Sequence, residues 1–238
     1  LVSQIYSANI PKRIYVDNEE PIVPGDIYNM CRYKFEWIDI SPKNKYYASI
    51  DGIIYTADKK TLVRCPVGRT GRVVIPDGVT AIGHDAFRFC KISEAVIPDS
   101  VTEVGAAAFA DSNIEKLTFG KGMTYISKRM FRLCPSLKHI HIPSNIKEIM
   151  SSAFSSCKAM EDIVLDEGVE RIGPDAFEAN TTNDIKISLP SSVRMIESGA
   201  LRNIKNVTLT NKIPSGFFTS LYTSDSGADI HVNIGGKQ

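Results

Sequence analysis

Five apolar columns keep the same phase through six consecutive units of this chain, and a repeat of that kind leaves few folds open. The units are RVVIPDGVTAIGHDAFRFC (72–90), EAVIPDSVTEVGAAAFADS (94–112), KLTFGKGMTYISKRMFRLC (116–134), HIHIPSNIKEIMSSAFSSC (139–157), DIVLDEGVERIGPDAFEAN (162–180) and KISLPSSVRMIESGALRNI (186–204). They align without internal gaps. The first column is Ile75, Ile97, Phe119, Ile142, Leu165 and Leu189, at spacings of 22, 22, 23, 23 and 24 residues. Four residues on stand Val79, Val101, Met123, Ile146, Val169 and Val193, and three further on Ile82, Val104, Ile126, Ile149, Ile172 and Ile196. A small residue then dominates at Ala86, Ala108, Ala153, Ala176 and Ala200, followed by Phe87, Phe109, Phe131, Phe154, Phe177 and Leu201.

A strand as short as VVI or HIHI cannot bury its apolar side alone. Stacking like units at the strand spacing of about 4.8 Å pairs the backbone groups and piles like side chains into ladders. The expected fold class is a β-rich repeat solenoid, a right-handed superhelix of short strands joined by short helical or irregular turns. Fainter rungs ending at Val16 and Ile40, and the segments VTL (207–209) and HVNI (231–234), extend the array to about ten rungs. Ten rungs make a rod of roughly 40–45 Å. Proline after several strands (Pro76, Pro98, Pro143, Pro190) removes a donor where pairing stops. Gly83, Gly105 and Gly173 mark a second bend. The Phe column is expected to fill the middle of the coil.

The period breaks once. Thirty-five residues separate Ile40 from Ile75, about a dozen more than one turn, and they include IIYTADKKTLVRCP (53–66). Two apolar runs around Ala57–Asp58–Lys59–Lys60 predict a β-hairpin. The expected organisation is one solenoid domain over residues 1–238 with a hairpin insertion at about 41–71. No low-complexity linker interrupts it.

Composition bounds the function. Twenty-eight basic and 27 acidic residues give a net charge of +1, without the concentrated basic face that a nucleic acid or an anionic membrane requires. No stretch approaches the ~18 apolar residues of a membrane span. The chain opens on LVSQIYSANI, without an initiator Met or a leader pattern, and is expected to be a mature or trimmed piece.

The units resemble the BspA-type, or Treponema pallidum-type, leucine-rich repeat family. The pattern of short strand, IP, VT, I-G, AF and a nearby Cys is carried by IPDGVTAIGHDAFRFC and IPDSVTEVGAAAF. The segment SPKNKYYASIDGIIYTADKKTLVRCPVGRTG resembles one that recurs between repeats in bacterial members. The resemblance covers about residues 10–210 and implies a leucine-rich-repeat superhelix. It also implies a bacterial secreted or cell-surface protein used in adhesion and in binding host proteins. The last unit departs from the pattern, with Leu201 for Phe and Met195–Ile196–Glu197 without the Gly.

Five cysteines exclude a fully paired disulfide framework. Cys31, Cys90, Cys134 and Cys157 each lie fifteen residues past their rung's anchor, which reads as a column of reduced core thiols, with Cys65 in the insertion. His139 and His141 point outward from one strand, and only Asp162 stands near enough to add a metal ligand. Neither a metal nor a cofactor is expected. No phosphate loop, GxSxG, HExxH or CxxC motif is present, so no catalytic residue is assigned and the chain is not read as an enzyme. The sequons NTT (180–182) and NVT (206–208) matter only in a eukaryotic secretory pathway.

The outward sheet face varies at every rung while the core columns barely change, which is how a solenoid writes a specific surface onto a generic frame. Three residues before each anchor stand Arg13, Trp37, Arg72, Glu94, Lys116, His139, Asp162, Lys186 and Asn206. One before it stand Tyr15, Asp39, Val74, Val96, Thr118, His141, Val164, Ser188 and Thr208. The partner-binding residues expected are Tyr15, Trp37, Arg72, Glu94, Lys116, His139, His141 and Asp162. Trp37 with Tyr15 is either an exposed aromatic anchor or a pair covered by the N-terminal cap or the insertion. The function expected is non-catalytic binding of a protein, such as a host extracellular protein, or of a glycan. The alternatives are a structural spacer presenting another domain and a carbohydrate-binding module built on the aromatic patch.

Overall fold

A computed structural model of the chain describes residues 12–17, 27, 33–178, 186–202, 204, 206–209 and 231–234. Cys31 and the NTT sequon lie outside them. The N-terminal strands are β1 (Arg13–Val16) and β2 (Trp37–Ile40), followed by β3 (Tyr47–Ile50), β4 (Ile53–Thr56) and β5 (Thr61–Arg64). The repeat units then alternate a longer strand with a two-residue one. The longer strands are β6 (Thr70–Val74), β8 (Lys91–Val96), β10 (Lys116–Thr118), β12 (His139–Ile142), β14 (Asp162–Leu165) and β16 (Lys186–Leu189). The short ones are β7 (Ala81–Ile82), β9 (Glu103–Val104), β11 (Tyr125–Ile126), β13 (Glu148–Ile149), β15 (Arg171–Ile172) and β17 (Met195–Ile196). Strands β18 (Asn206–Leu209) and β19 (His231–Ile234) follow.

These strands make a β-solenoid whose coils stack in parallel on three sides. The longer strands form a first ladder, β6–β8–β10 and β12–β14–β16–β18–β19. The two-residue strands, joined by β5, form a second ladder, β5–β7–β9 and β11–β13–β15–β17, which the sequence did not announce because two residues carry no readable alternation. On the third side the turns themselves hydrogen-bond from coil to coil. Phe87 N donates to Ala108 O (2.6 Å), Phe109 N to Met130 O (2.9 Å), Phe131 N to Ala153 O (2.7 Å), Phe154 N to Ala176 O (2.7 Å) and Phe177 N to Ala200 O (3.0 Å). These bonds hold a conformation that L residues avoid. Asp85, Ala107, Arg129, Ser152 and Asp175 lie in the left-handed region at φ 53–57°, and Phe89, Asp111, Leu133 and Ser156 lie there too in the first four coils, at φ 56–63°.

Within the coils the five columns are buried as expected, except that Phe119 is only half-buried. The Phe file is continuous. Ring centroids are 4.6 Å apart for Phe87–Phe109, 5.6 Å for Phe109–Phe131, 5.1 Å for Phe131–Phe154 and 5.3 Å for Phe154–Phe177, all stacked. Leu201 ends the file and is buried, so the atypical last unit keeps the coil. The prolines open tight turns: the carbonyls of Pro76, Pro98, Pro143 and Pro190 accept from Val79, Val101, Ile146 and Val193.

Gly83, Gly105 and Gly173 follow the second-ladder strands, where the chain bends into the third side, and none of them uses left-handed backbone. Their need is space. A Cβ on Gly105 would stand 2.4 Å from the His84 backbone N and 2.7 Å from Gly83 C on the neighbouring coil. Gly105→Ala should therefore destabilise the rod by about 1–3 kcal/mol, measured as a shifted urea midpoint with unchanged slope.

The insertion is larger than one hairpin. The predicted β4–β5 hairpin is present, with Asp58 Oδ1 accepting from Thr56 Oγ1 and Lys60 N across its turn. Strand β3 adds to it through an Asp51–Gly52 turn with φ 51° and 71°, the left-handed pair that a two-residue hairpin loop requires. Alternation along the meander divides the interior. Ile53, Tyr55, Leu62 and Cys65 face the main core, whereas Ile54 joins Ile27, Phe35, Ile38 and Ile40 in a second cluster. The in-register pair β1–β2 forms its own sheet over that cluster, tied to the meander by Ile38 N to Gly52 O (3.0 Å) and Ile40 N to Ser49 Oγ (3.0 Å).

The meander also caps the coils. Each coil's turn carbonyls accept from the coil before, and the first coil has none before it. Cys65 N fills one such position, donating to Ala86 O at 2.7 Å. The buried Arg64 guanidinium fills a second, donating at 3.4 Å to Arg88 O, and it also donates to Asp85 O, which accepts from Arg88 N within the turn.

Candidate interaction face

The outward face of the first ladder carries the expected partner-binding residues in register. Arg72 lies opposite Glu94, Glu94 opposite Lys116, His139 opposite Asp162, and Arg13 opposite Trp37. The ladder is interrupted between β10 and β12, which belong to different sheets. Asn145 bridges the joint, its Nδ2 donating to Met123 O (2.7 Å) and Gly120 O (3.2 Å). At this interruption the face opens into a groove of about 430 Å³ with Leu117, Phe119, Ile140 and Pro143 among its lining. Lys116, Thr118, His139, His141, Asp162 and Val164 also line it. Four of the eight expected residues are thus brought together, and Val164, 45% exposed, gives the groove an apolar spot.

Both imidazoles are oriented by carboxylates one coil on. His139 Nδ1 hydrogen-bonds Asp162, with Glu161 3.8 Å from its Nε2, and His141 Nε2 hydrogen-bonds Asp166 Oδ1 at 2.8 Å. Lys138 pairs with Glu161 at 3.2 Å. Both imidazole–carboxylate pairs lie on the exposed surface. No group of three or more His, Cys, Asp or Glu among the described residues is placed to hold a metal ion.

The other four expected residues lie elsewhere on the face. Arg72 pairs with Glu94 at 3.4 Å and, with Arg69, lines a smaller recess of about 140 Å³ against the meander. Trp37 is half-buried by the insertion. A Cβ on Gly52 would meet its ring at 2.5 Å, the Arg13 and Arg69 guanidinium carbons stand 5.1 and 4.7 Å from the ring centroid, and its indole N–H donates to Asp39 (2.9 Å). Hydrogen bonding from Arg13, then from the indole, holds the Asp39 carboxyl below the usual carboxylate range. Tyr15 is 61% exposed, and its register partner is Asp39, not Trp37. The aromatic pair read from the sequence is therefore split, one ring packed and one free.

The cysteines behave as core residues. Cys65, Cys90, Cys134 and Cys157 are free and buried. The Cys134 and Cys157 thiols donate to the carbonyls of Phe109 (3.1 Å) and Phe131 (2.9 Å), and burial, reinforced by Cys134, pushes the Cys157 thiol up.

Residues 69–184 match the BspA type Leucine rich repeat region, in six copies. Those residues are BspA-type leucine-rich repeats. No curated protein matches the chain. Among solved structures, a T. pallidum leucine-rich repeat protein is 27% identical at a TM-score of 0.58, covering 71% of this chain and 79% of its own. A leucine-rich cell surface protein from Faecalibacterium prausnitzii is 24% identical at a TM-score of 0.59, covering 84% of this chain. A leucine-rich repeat protein from Eubacterium ventriosum is 21% identical at a TM-score of 0.61, covering 86% of this chain. The last two likenesses show the fold alone, and the chain spans 48% and 61% of those proteins' lengths. No helix among the described residues is long and apolar enough to cross a membrane.

Proposed function

We propose that this BspA-type array is part of a non-catalytic cell-surface or secreted protein that binds a protein partner through its sheet face, with the groove at the β10–β12 joint as the centre of contact. The observation that carries this reading is the groove itself. It is the place where a lysine, two carboxylate-oriented histidines and an exposed valine converge on an otherwise regular ladder. Mixed charge around an apolar spot is the make-up of a protein–protein contact rather than of a small-molecule cavity. The likeness to a protein described as a leucine-rich cell surface protein supports the location. Tyr15, Trp37, Arg72 and Glu94 extend the contact toward the N-terminal end. In this reading residues 1–238 act as one solenoid unit, with 41–71 as the insertion.

The test is binding of the chain to an immobilised panel of extracellular-matrix and serum proteins. The variant Lys116→Ala/His139→Ala/His141→Ala should bind the retained protein at least about tenfold more weakly, a loss of about 1.4 kcal/mol. Thr102→Ala/Glu103→Ala, on the second ladder, should bind as wild type. Undiminished binding by the groove variant contradicts the assignment.

A further inference from the structure

We propose that the turn side of the third and fourth coils is a docking surface for a sulfated polysaccharide. The turn arginines of other coils are neutralised. Arg88 lies between Asp111 (3.0 Å) and Asp85 (3.4 Å), and Arg202 between Glu178 (2.7 Å) and Asp175 (3.4 Å). The third coil breaks that pattern. Its turn, Ser127–Lys128–Arg129–Met130–Phe131–Arg132, buries Met130 and Phe131 and leaves Lys128 and Arg129 exposed and Arg132 half-buried. None of these three cations forms an ion pair among the described residues, whereas Arg13, Arg72, Arg88, Arg171 and Arg202 all do.

The neighbouring turns keep the patch open. The second coil presents Ala106 and Ala107, and its Asp111 is already taken by Arg88. The fourth coil presents Ser151, Ser152 and Ser156 as half-buried hydroxyls, with Ser152 standing where the fifth coil has Asp175. Arg129 N donates to Ser151 O at 3.0 Å, so the cations and the hydroxyls share adjacent backbones. Three uncompensated cations beside three hydroxyl donors match the sulfate ester, which is charged at every physiological pH and offers several acceptor oxygens to a guanidinium fork. With a net charge of only +1, the attraction belongs to this patch and not to the chain as a whole.

Other polyanions fit less well. Single-stranded nucleic acid needs aromatic rings for base stacking, and the exposed ring of Phe89 belongs to the first coil, with the Arg88 guanidinium 4.7 Å over it. Basic stretches that hold anionic lipid run to roughly four to eight cations, more than the turn supplies.

The experiment uses heparin as the sulfated probe, with hyaluronan (carboxylate only) and duplex DNA as comparisons, on the full chain at low and moderate salt. Heparin should bind, should weaken as salt rises, and should bind at least tenfold more tightly than either comparison. Lys128→Ser/Arg129→Ser/Arg132→Ser should lose at least tenfold in heparin affinity while keeping the wild-type melting curve. Lys34→Ser/Lys45→Ser/Lys59→Ser removes the same charge from the N-terminal region and should stay within twofold of wild type. His139→Ala, on the sheet face, should also leave heparin binding unchanged. The proposal is overturned if heparin is not bound, if the two triple variants weaken equally, or if DNA binds as tightly as heparin.

Discussion

Phe131→Ala should lower the unfolding free energy by about 3–5 kcal/mol, the largest effect of any single truncation in the rod. Phe131 has stacked neighbours on both sides, Phe109 and Phe154, and an edge contact with Phe119 at 6.5 Å. Removing it leaves a void in the middle of a file that coils above and below cannot close, because their backbones are fixed by inter-coil hydrogen bonds. For a chain of this size the loss corresponds to a fall in melting temperature of roughly 6–20 °C. Nearest-neighbour coupling in a solenoid adds a second expectation: the variant should unfold less cooperatively, with a shallower denaturant slope. Phe177→Ala, one coil from the Leu201 end of the file, should cost less. A loss below about 1 kcal/mol for Phe131→Ala would mean that the interior is not packed as one column.

Arg64→Met is the second large effect, with an expected cost of about 2–4 kcal/mol. Methionine keeps the length and apolar contact of the side chain but donates nothing. The carbonyls of Asp85 and Arg88, which Arg64 serves, would be left without that donor at a site where Arg64 itself is only 4% exposed. Amide hydrogen exchange should localise the damage to the first coil's turn, around residues 85–90, while the fourth and fifth coils keep wild-type protection. Equal or greater stability of the Met variant would show that the guanidinium does not cap the stack.

The coils were legible in the sequence because each apolar column faces an identical neighbour one unit away, so stacking repeats the same constraint six times. The three-sided cross-section was less so. The second ladder consists of two-residue strands. The left-handed turns use Asp85, Ala107, Arg129, Ser152 and Asp175, with glycine at that place only in the sixth coil (Gly199), because coil-to-coil hydrogen bonds impose what local preference would not. Strand β3 did leave a sign, Asp51–Gly52 between apolar runs, which the stronger-looking 53–66 hairpin overshadowed. Arg64 left none, since its role depends on which coil comes first.

The candidate face divides in the same way. That Lys116, His139, His141 and Asp162 share an outward surface follows from period-two alternation. That they line one groove follows from the interruption between β10 and β12, which no single residue announces. For Trp37 the alternation left exposure and cover by the insertion both open, and the Gly52 turn packs on its ring.

The central claim is that equivalent side chains of successive coils touch one another along a single axis, and double-mutant cycles measure that contact. Phe109→Leu with Phe131→Leu should show a coupling energy of about 0.5–1.5 kcal/mol, as expected of stacked rings. Phe87→Leu with Phe177→Leu, at opposite ends of the file, should be additive within about 0.5 kcal/mol. Additive neighbours, or equal coupling in both pairs, would contradict the stacked-coil account.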